Sequence, residues 1–203
     1  MRVGASESFH SRFNRFLAIS VWALCAAAIA AVIAAGEARF FSMVPFAAAV
    51  GLLAWAGLWR VAIVIDDQLI ELRNAFSTVL VPWAALVQVD TRFALTLITP
   101  SGSFTSTAAP APSRLTTMLS KRDIESVPRD VPVDGAVRPG DIPSTDSGAA
   151  AILIRRRWRE LLDAGRVELG VADRTPVLRH VHWTTIVVSG GLLVAAIAVL
   201  AAT

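Results

Sequence analysis

The sequence has few charged residues, a single cysteine and no tyrosine. Charged residues make up 17% of the 203 residues, whereas a soluble domain carries about 25%, so a water-soluble monomer is not expected. The one cysteine, Cys25, excludes an internal disulfide and a metal site built from cysteines. The formal net charge is only +3, and the isoelectric point near 10.3 reflects the lack of tyrosine and the dominance of arginine. A nucleic-acid-binding protein is therefore not implied.

Recognisable catalytic and metal-binding motifs are also missing. The chain has no Walker loop, dinucleotide-binding fingerprint, nucleophile elbow or zincin pattern. His180 and His182 form an H-x-H pair, but no cysteine or suitably placed carboxylate would complete a metal site, and His10 is remote in sequence. Asp66-Asp67 is typical of a turn rather than of a cation site. We therefore expect a non-enzymatic protein with no metal, no cofactor and no small-molecule substrate.

Three long runs of apolar residues carry no charge. They cover residues 17–35, 40–59 and 183–203. As helices rising 1.5 Å per residue, each would reach about 30 Å, the hydrocarbon thickness of a bilayer. Buried core helices are the alternative, but they seldom stay uncharged over such lengths. The runs predict a transmembrane hairpin over 17–59 and a third transmembrane helix over 183–203.

A cleavable signal peptide is an alternative interpretation of the first run. Arg12 and Arg15 would form its basic flank. The apolar run is longer than the roughly 7–15 residues of a signal core, however, and a second run follows after four residues. A retained helical hairpin explains both features.

Arginine placement predicts the orientation in the membrane. Arginine is concentrated before the first run, after the second and before the third, at Arg2, Arg12, Arg15, Arg60, Arg174 and Arg179. On the other side only Arg39 occurs, and Glu37, two residues before it, balances its charge. By the positive-inside rule, we expect a multi-pass protein of a bacterial plasma membrane, with a cytoplasmic tail over 1–16, a cytoplasmic segment over 60–182 and the C-terminus outside.

Small residues recur on the apolar runs, at Gly51, Gly57, Gly190 and Gly191. Such residues let helices approach closely, so they predict packing between the spans or with a partner helix. The alternative is that they reflect a general alanine- and glycine-rich composition. The runs contain no ionisable side chain, which disfavours an autonomous pump or transporter.

Between the second and third runs the hydrophobic pattern becomes that of short strands. Residues 60–108 contain six β-branched and apolar stretches separated by turn residues, which predicts an antiparallel meander. Residues 109–148 hold most of the prolines and no aromatic residue, and predict a flexible insert. The segment 149–182 begins with AAAILIRRRWRELLDA, a predicted helix that ends before Gly165 and covers one open end of the sheet, followed by a linker.

The order of the motifs resembles that of a known family. RVAIVIDD at 60–67, LIELRN at 69–74 and VPWA at 81–84 resemble bacterial pleckstrin-homology-like (PH-like) domains, and in particular the short membrane-anchored PH-domain proteins of actinobacteria such as the low-molecular-weight protein antigen 6 group. Gln68 stands where that pattern has glycine. Together with the three apolar runs, the resemblance predicts an α+β membrane protein in which three transmembrane helices carry a PH-like antiparallel sheet or barrel capped by one C-terminal helix. It implies no catalytic residue.

The predicted helix after the insert carries the candidate binding residues, Arg155, Arg156, Arg157 and Arg159. Near a cytoplasmic leaflet they would attract anionic lipid or an acidic partner, whereas the alternative is a solvated helix face. We expect a membrane-anchored binding or scaffold protein whose partners are membrane lipids and another membrane or cytoplasmic protein. The alternative is an accessory subunit of an inner-membrane complex for envelope biogenesis or transport, whose transmembrane helices make the main contacts.

Overall fold

A computed structural model describes residues 6–36, 43–110 and 145–202 of the chain. Over these residues the helices are Arg12–Ala35 (α1), Met43–Ala54 (α2), Asp146–Asp163 (α3) and Trp183–Ala202 (α4). The strands are Glu7–Phe9 (β1), Ala62–Ile65 (β2), Leu69–Arg73 (β3), Ser77–Pro82 (β4), Gln88–Asp90 (β5), Ala94–Thr99 (β6), Gly102–Pro110 (β7) and Leu178–Val181 (β8). The α+β class with antiparallel sheets is confirmed.

The chain divides into two compact units. Met1–Ser11, Ala62–Arg73 and Val79–Arg179 form the first, which we call the β unit. The second, the helical unit, consists of Arg12–Val61, Asn74–Thr78 and His180–Thr203. Each unit is therefore assembled from segments that are distant in the sequence.

A five-stranded sheet has the strand order β1-β2-β3-β4-β8. Strand β2 pairs with β1 on one side, with Ser8 opposite Val64, and with β3 on the other. Buried side chains alternate along β3, where Ile70 and Leu72 are buried, because successive side chains point to opposite faces. The turn between β2 and β3 is closed by Asp66, whose Oδ1 accepts from the amides of Gln68 at 2.6 Å and Leu69 at 2.8 Å.

Strands β5, β6 and β7 form a second antiparallel sheet in that order. A tight turn at Pro100 and Ser101 joins β6 to β7. Gly102 adopts φ 139° there, a conformation that glycine tolerates because it has no Cβ. All six strands of the predicted meander are present between residues 62 and 110, but they divide into two sheets.

Two strands lie outside the predicted meander. The first, β1, falls in the predicted tail 1–16, and helix α1 already begins at Arg12. The second, β8, falls in the predicted linker after the closing helix. Both strands are short, and the ESF sequence of β1 has no hydrophobic alternation. Pairing with a neighbouring strand, rather than local preference, decides their conformation.

Helix α3 closes the three-stranded sheet. Its N-terminus is capped by Thr145, whose Oγ1 accepts from the Gly148 amide at 3.0 Å. Ile154 and Leu161 are buried on the face that packs against β5, β6 and β7. The predicted insert 109–148 lies mostly outside the described residues, and its two ends belong to β7 and α3.

In the helical unit, α2 packs against both α1 and α4. Within the described residues, one helix is long and apolar enough to cross a membrane, namely Arg12–Ala35. Only 11% of its most apolar 18-residue stretch is buried. The other apolar helices, Met43–Trp59 and Trp183–Val199, are shorter by the same criterion. The second predicted span starts at Phe40, outside the described residues, and its last turn widens into a π-helix over Trp55–Trp59. The described residues therefore contain one candidate span by length and composition, and the second and third spans stay predictions.

Candidate functional site

The four arginines of helix α3 make different contacts. Arg155 is half-buried, and its Nη2 donates to the Val89 carbonyl at 3.0 Å. This contact ties α3 to strand β5. Arg155 therefore helps to position the closing helix.

Arg157 is paired with the turn between β2 and β3. It contacts the carboxylate of Asp67, which also accepts from Arg166 Nη1 at 3.1 Å. These two hydrogen bonds, first that of Arg157 and then that of Arg166, hold the pKa of Asp67 below its usual value. Glu160 Oε2 lies 2.9 Å from Arg157 Nη1 and is the largest cause of the raised pKa of Arg157. Arg157 thus joins the helix to the acidic turn.

Arg156 and Arg159 are exposed on α3. Arg156 lies 3.4 Å from the Glu7 carboxylate and 3.7 Å from that of Glu160. About half of each side chain in these pairs is exposed, namely 54% for Arg156, 56% for Glu7 and 50% for Glu160. Such pairs contribute only about 0–1 kcal/mol. Arg159 makes a 3.4 Å contact from Nε to the Arg155 carbonyl. These two guanidinium groups therefore remain accessible to an anionic partner.

The acidic turn also contacts the V-P-W motif of the sequence. Trp83 is 2% exposed, and its Nε1 donates to the main-chain carbonyl of Asp66 at 3.0 Å. Asp66 thus binds two amides with its side chain and an indole with its carbonyl, while Asp67 binds two arginines. The described residues contain no group of three or more histidine, cysteine or acidic side chains that could hold a metal.

The four glycines predicted to pack helices lie in different surroundings. A Cβ at Gly51 would lie 3.8 Å from Trp22 Cδ1, and the Trp22 Nε1 donates to the Gly51 carbonyl at 3.0 Å. Gly51 therefore lies where α1 and α2 meet. A Cβ at Gly57, Gly190 or Gly191 would meet nothing within 4 Å among the described residues. Packing of these three against a partner helix stays a prediction.

His182 and Arg60 lie close together in the helical unit. The His182 Nε2 is 2.9 Å from Thr78 Oγ1. Burial lowers the pKa of His182, and the positive charge of Arg60 and the neighbouring His180 lower it further. The sequence prediction selected none of these residues for binding, nor Asp67, Arg166 or Glu7, because their pairing depends on contacts across the chain.

Comparison with known proteins identifies the segment that contains the acidic turn. Residues 60–141 match the family model of the bacterial PH domain, a range that includes β2 to β7 and continues beyond the described residues. No curated protein and no solved structure matches the chain. Strands β1 and β8 and helix α3 lie outside the matched range. The match agrees with the resemblance of the strand, acidic-turn and V-P-W motifs, and it supports a bacterial PH-like domain over residues 60–141.

Proposed function

We propose that this protein is a membrane-anchored binding or scaffold protein, which presents a PH-like domain to a partner protein or anionic lipid at the cytoplasmic face of a bacterial plasma membrane. The observation that carries the proposal is the exposed apolar surface of α1 among the described residues. The β unit includes the residues directly before that helix. The proposal includes no catalytic step, because binding alone accounts for the features described.

Helix α1 has the length and surface of a membrane span. Its 24 residues reach about 36 Å, and the hydrocarbon core of a bilayer is about 30 Å thick. Side chains such as Phe16, Leu24 and Ile33 are 65–71% exposed. A core helix of a soluble protein would be mostly buried, whereas this surface suits contact with lipid.

We extend the proposal to α2 and α4 as further spans. The apolar stretch Met43–Trp59 is at the lower limit of about 17–25 residues for a span. Helix α4 runs over 20 residues as a whole, and neither α2 nor α4 contains an ionisable side chain. Because α2 packs against both α1 and α4, the three helices would cross the membrane together.

The connectivity supports an orientation with both the N-terminus and the β unit in the cytoplasm. Strand β1 precedes α1 and pairs with β2, which follows α2. This pairing supports placing the start of α1 and the end of α2 on the same side of the bilayer. Arg12, Arg15 and Arg60 are at these ends, as the positive-inside rule expects for the cytoplasmic side. A third span would then place the C-terminus outside.

The exposed side chains of Arg156 and Arg159 are the proposed contact for an acidic partner. The test uses the full chain in native membranes, with a photoreactive residue in place of the exposed Asp163 on the same helix. We expect a crosslinked protein or lipid that is lost when Arg156 and Arg159 are changed to Gln and kept when they are changed to Lys. The control is a photoreactive residue at Ser103, exposed on β7. Equal yields of crosslinked product at positions 163 and 103, or a yield at position 163 that is unchanged in the Gln variant, would refute this contact.

A subunit of a larger membrane complex is the second candidate. It is favoured by the open surface at Gly190 and Gly191, where a Cβ would meet nothing within 4 Å in the described part of the chain. A partner helix could approach closely there. If this candidate is right, Gly190→Leu with Gly191→Leu releases a co-purifying membrane protein, whereas Ala27→Leu with Ala28→Leu, at exposed positions of α1, does not.

A further inference from the structure

Two arginine side chains lie over tryptophan rings at one end of the helical unit. The Arg15 guanidinium lies 5.5 Å from the centroid of Trp59, and that of Arg60 lies 5.7 Å from the centroid of Trp55. Trp59 also contacts Trp22, with ring centroids 5.2 Å apart. Trp55 and Trp59 are about one turn apart on the same helical segment, so the rings hold both guanidinium groups at the same end of the unit.

A third element reaches the same end. Arg60 Nη1 lies 3.4 Å from Thr185 Oγ1 in the first turn of α4. The pKa of His182, the residue before α4, is lowered first by burial and then by the positive charge of Arg60. The start of α1, the end of the α2 segment and the start of α4 thus supply one cationic and aromatic cluster, which consists of Arg15, Trp55, Trp59, Arg60 and Thr185.

This cluster has no acidic partner within its unit. The described residues of the helical unit contain Arg12, Arg15, Arg60, His180 and His182 but no aspartate or glutamate. In the β unit, by contrast, Arg157 and Arg166 both share the Asp67 carboxylate. A guanidinium group has five N–H donors, and the contact with Thr185 can use only one of them on Arg60.

The chemistry of the cluster fits a phosphate group with net negative charge. Arginine binds phosphate oxygens with two parallel hydrogen bonds, and an aromatic ring beneath the guanidinium plane leaves its N–H edge available. A zwitterionic headgroup fits less well, because its ammonium group would find no carboxylate and would meet further positive charge. Tryptophan favours the boundary between headgroups and acyl chains.

We propose that Arg15 and Arg60, held over Trp59 and Trp55, form a binding site for the headgroup phosphate of an anionic phospholipid. The inference rests on the proposed membrane anchoring, and it adds a lipid site in the helical unit to the contact proposed for the α3 arginines. The bound lipid would contact all three apolar helices at their cytoplasmic ends.

The experiment places the full chain in phosphatidylcholine nanodiscs with increasing fractions of phosphatidylglycerol and measures the lipid retained per protein by native mass spectrometry. We expect Arg15→Gln with Arg60→Gln to weaken retention of phosphatidylglycerol about thirtyfold. The double Lys variant should retain part of the binding. The matched control, Arg92→Gln with Arg174→Gln, removes the same charge from two exposed positions of the β unit and should bind as the unmodified chain does.

A second measurement needs no variant. The pKa of His182, followed by NMR, should rise when phosphatidylglycerol replaces phosphatidylcholine, because a nearby anion opposes the effect of Arg60. Inorganic phosphate added to phosphatidylcholine nanodiscs should not reproduce this rise. An equal rise with inorganic phosphate would overturn the assignment to a lipid.

Failure of the inference is distinguishable from failure of the proposed function. A chain that enters nanodiscs but retains the two lipids equally, or whose double Gln variant retains phosphatidylglycerol unchanged, would refute the lipid site alone. A chain that stays in solution without nanodiscs and does not enter them would refute both.

Discussion

Ser11, the last residue before helix α1, donates a hydrogen bond from its Oγ to the carboxylate of Asp146 in the first turn of α3. Ser11 is 2% exposed, and the two residues are 135 positions apart in the sequence. The contact shows that the residues before α1 are part of the β unit. A fragment limited to residues 60–182 would lack both this contact and strand β1.

Strand β1 should therefore protect the edge of β2. Successive N–H groups of a strand point to opposite sides, so one of Ser8→Pro and Phe9→Pro must remove an N–H that faces β2. We expect at least one of these variants to raise the rate of amide hydrogen exchange in β2, whose Val64 lies opposite Ser8. The control Ser6→Pro lies just before the strand. Unchanged exchange in both strand variants would contradict the pairing.

The free energy of unfolding should respond differently to replacement by Phe at Trp83 and at Trp158. Trp83→Phe removes the hydrogen bond to the Asp66 carbonyl in a buried site and should lower the free energy of unfolding by about 1–2 kcal/mol. Trp158 Nε1 is buried without a hydrogen-bond partner among the described residues, so Trp158→Phe should be neutral or slightly stabilising. Denaturant unfolding of the full chain in detergent measures both. Equal losses would show that indole bulk, and not the hydrogen bond, decides the effect.

The Asp67 cluster predicts an acid-dependent contribution to stability. Because Arg157 and Arg166 lower the pKa of Asp67 in the folded state, its contribution is fully present above the unfolded value near 3.8 and is lost as the pH falls through the lower folded value. Asp67→Asn should destabilise the chain at pH 7, and the difference from the unmodified chain should shrink in strong acid. Asp163→Asn, at an exposed site on α3, is the control. A difference that is independent of pH would contradict the ion pairs.

His182 predicts a second, milder pH dependence. Its folded-state pKa is lowered, so the unfolded chain binds the proton first as the pH falls below about 6.5. Stability should decrease between that pH and the lower folded pKa, and His182→Gln should reduce the decrease. Melting curves of the full chain near pH 7.5 and pH 5.5 test this, and an identical slope in the His182 variant would exclude His182 as the cause.

Local sequence patterns predicted the central strands and the closing helix, but not the strands at the edges. The apolar runs that contain Ile63, Ile65 and Leu72 are long enough to predict strands, and all three side chains are buried. Residues 7–9 are too few and too polar to do so, and they become a strand because β2 offers an open edge.

The candidate site was predictable in composition but not in pairing. The sequence identified Arg155, Arg156, Arg157 and Arg159 as one basic group. It could not show that Arg157 binds Asp67, because that turn is 90 residues away. Nor could it show that Arg15 and Arg60 lie over tryptophans, since each contact depends on how helices pack.

The most direct test of the account is thiol accessibility on the two sides of the membrane. In a Cys25→Ala background, a cysteine replaces either Thr203 or Ser103, and Ser103 is exposed on β7. Cells whose outer layers are permeable but whose plasma membrane is intact are then treated with a thiol reagent that cannot cross the plasma membrane. The account predicts labelling at position 203 in intact cells and at position 103 only after the plasma membrane is opened. Labelling of position 103 in intact cells, or protection of position 203, would contradict a cytoplasmic PH-like domain carried by three membrane helices.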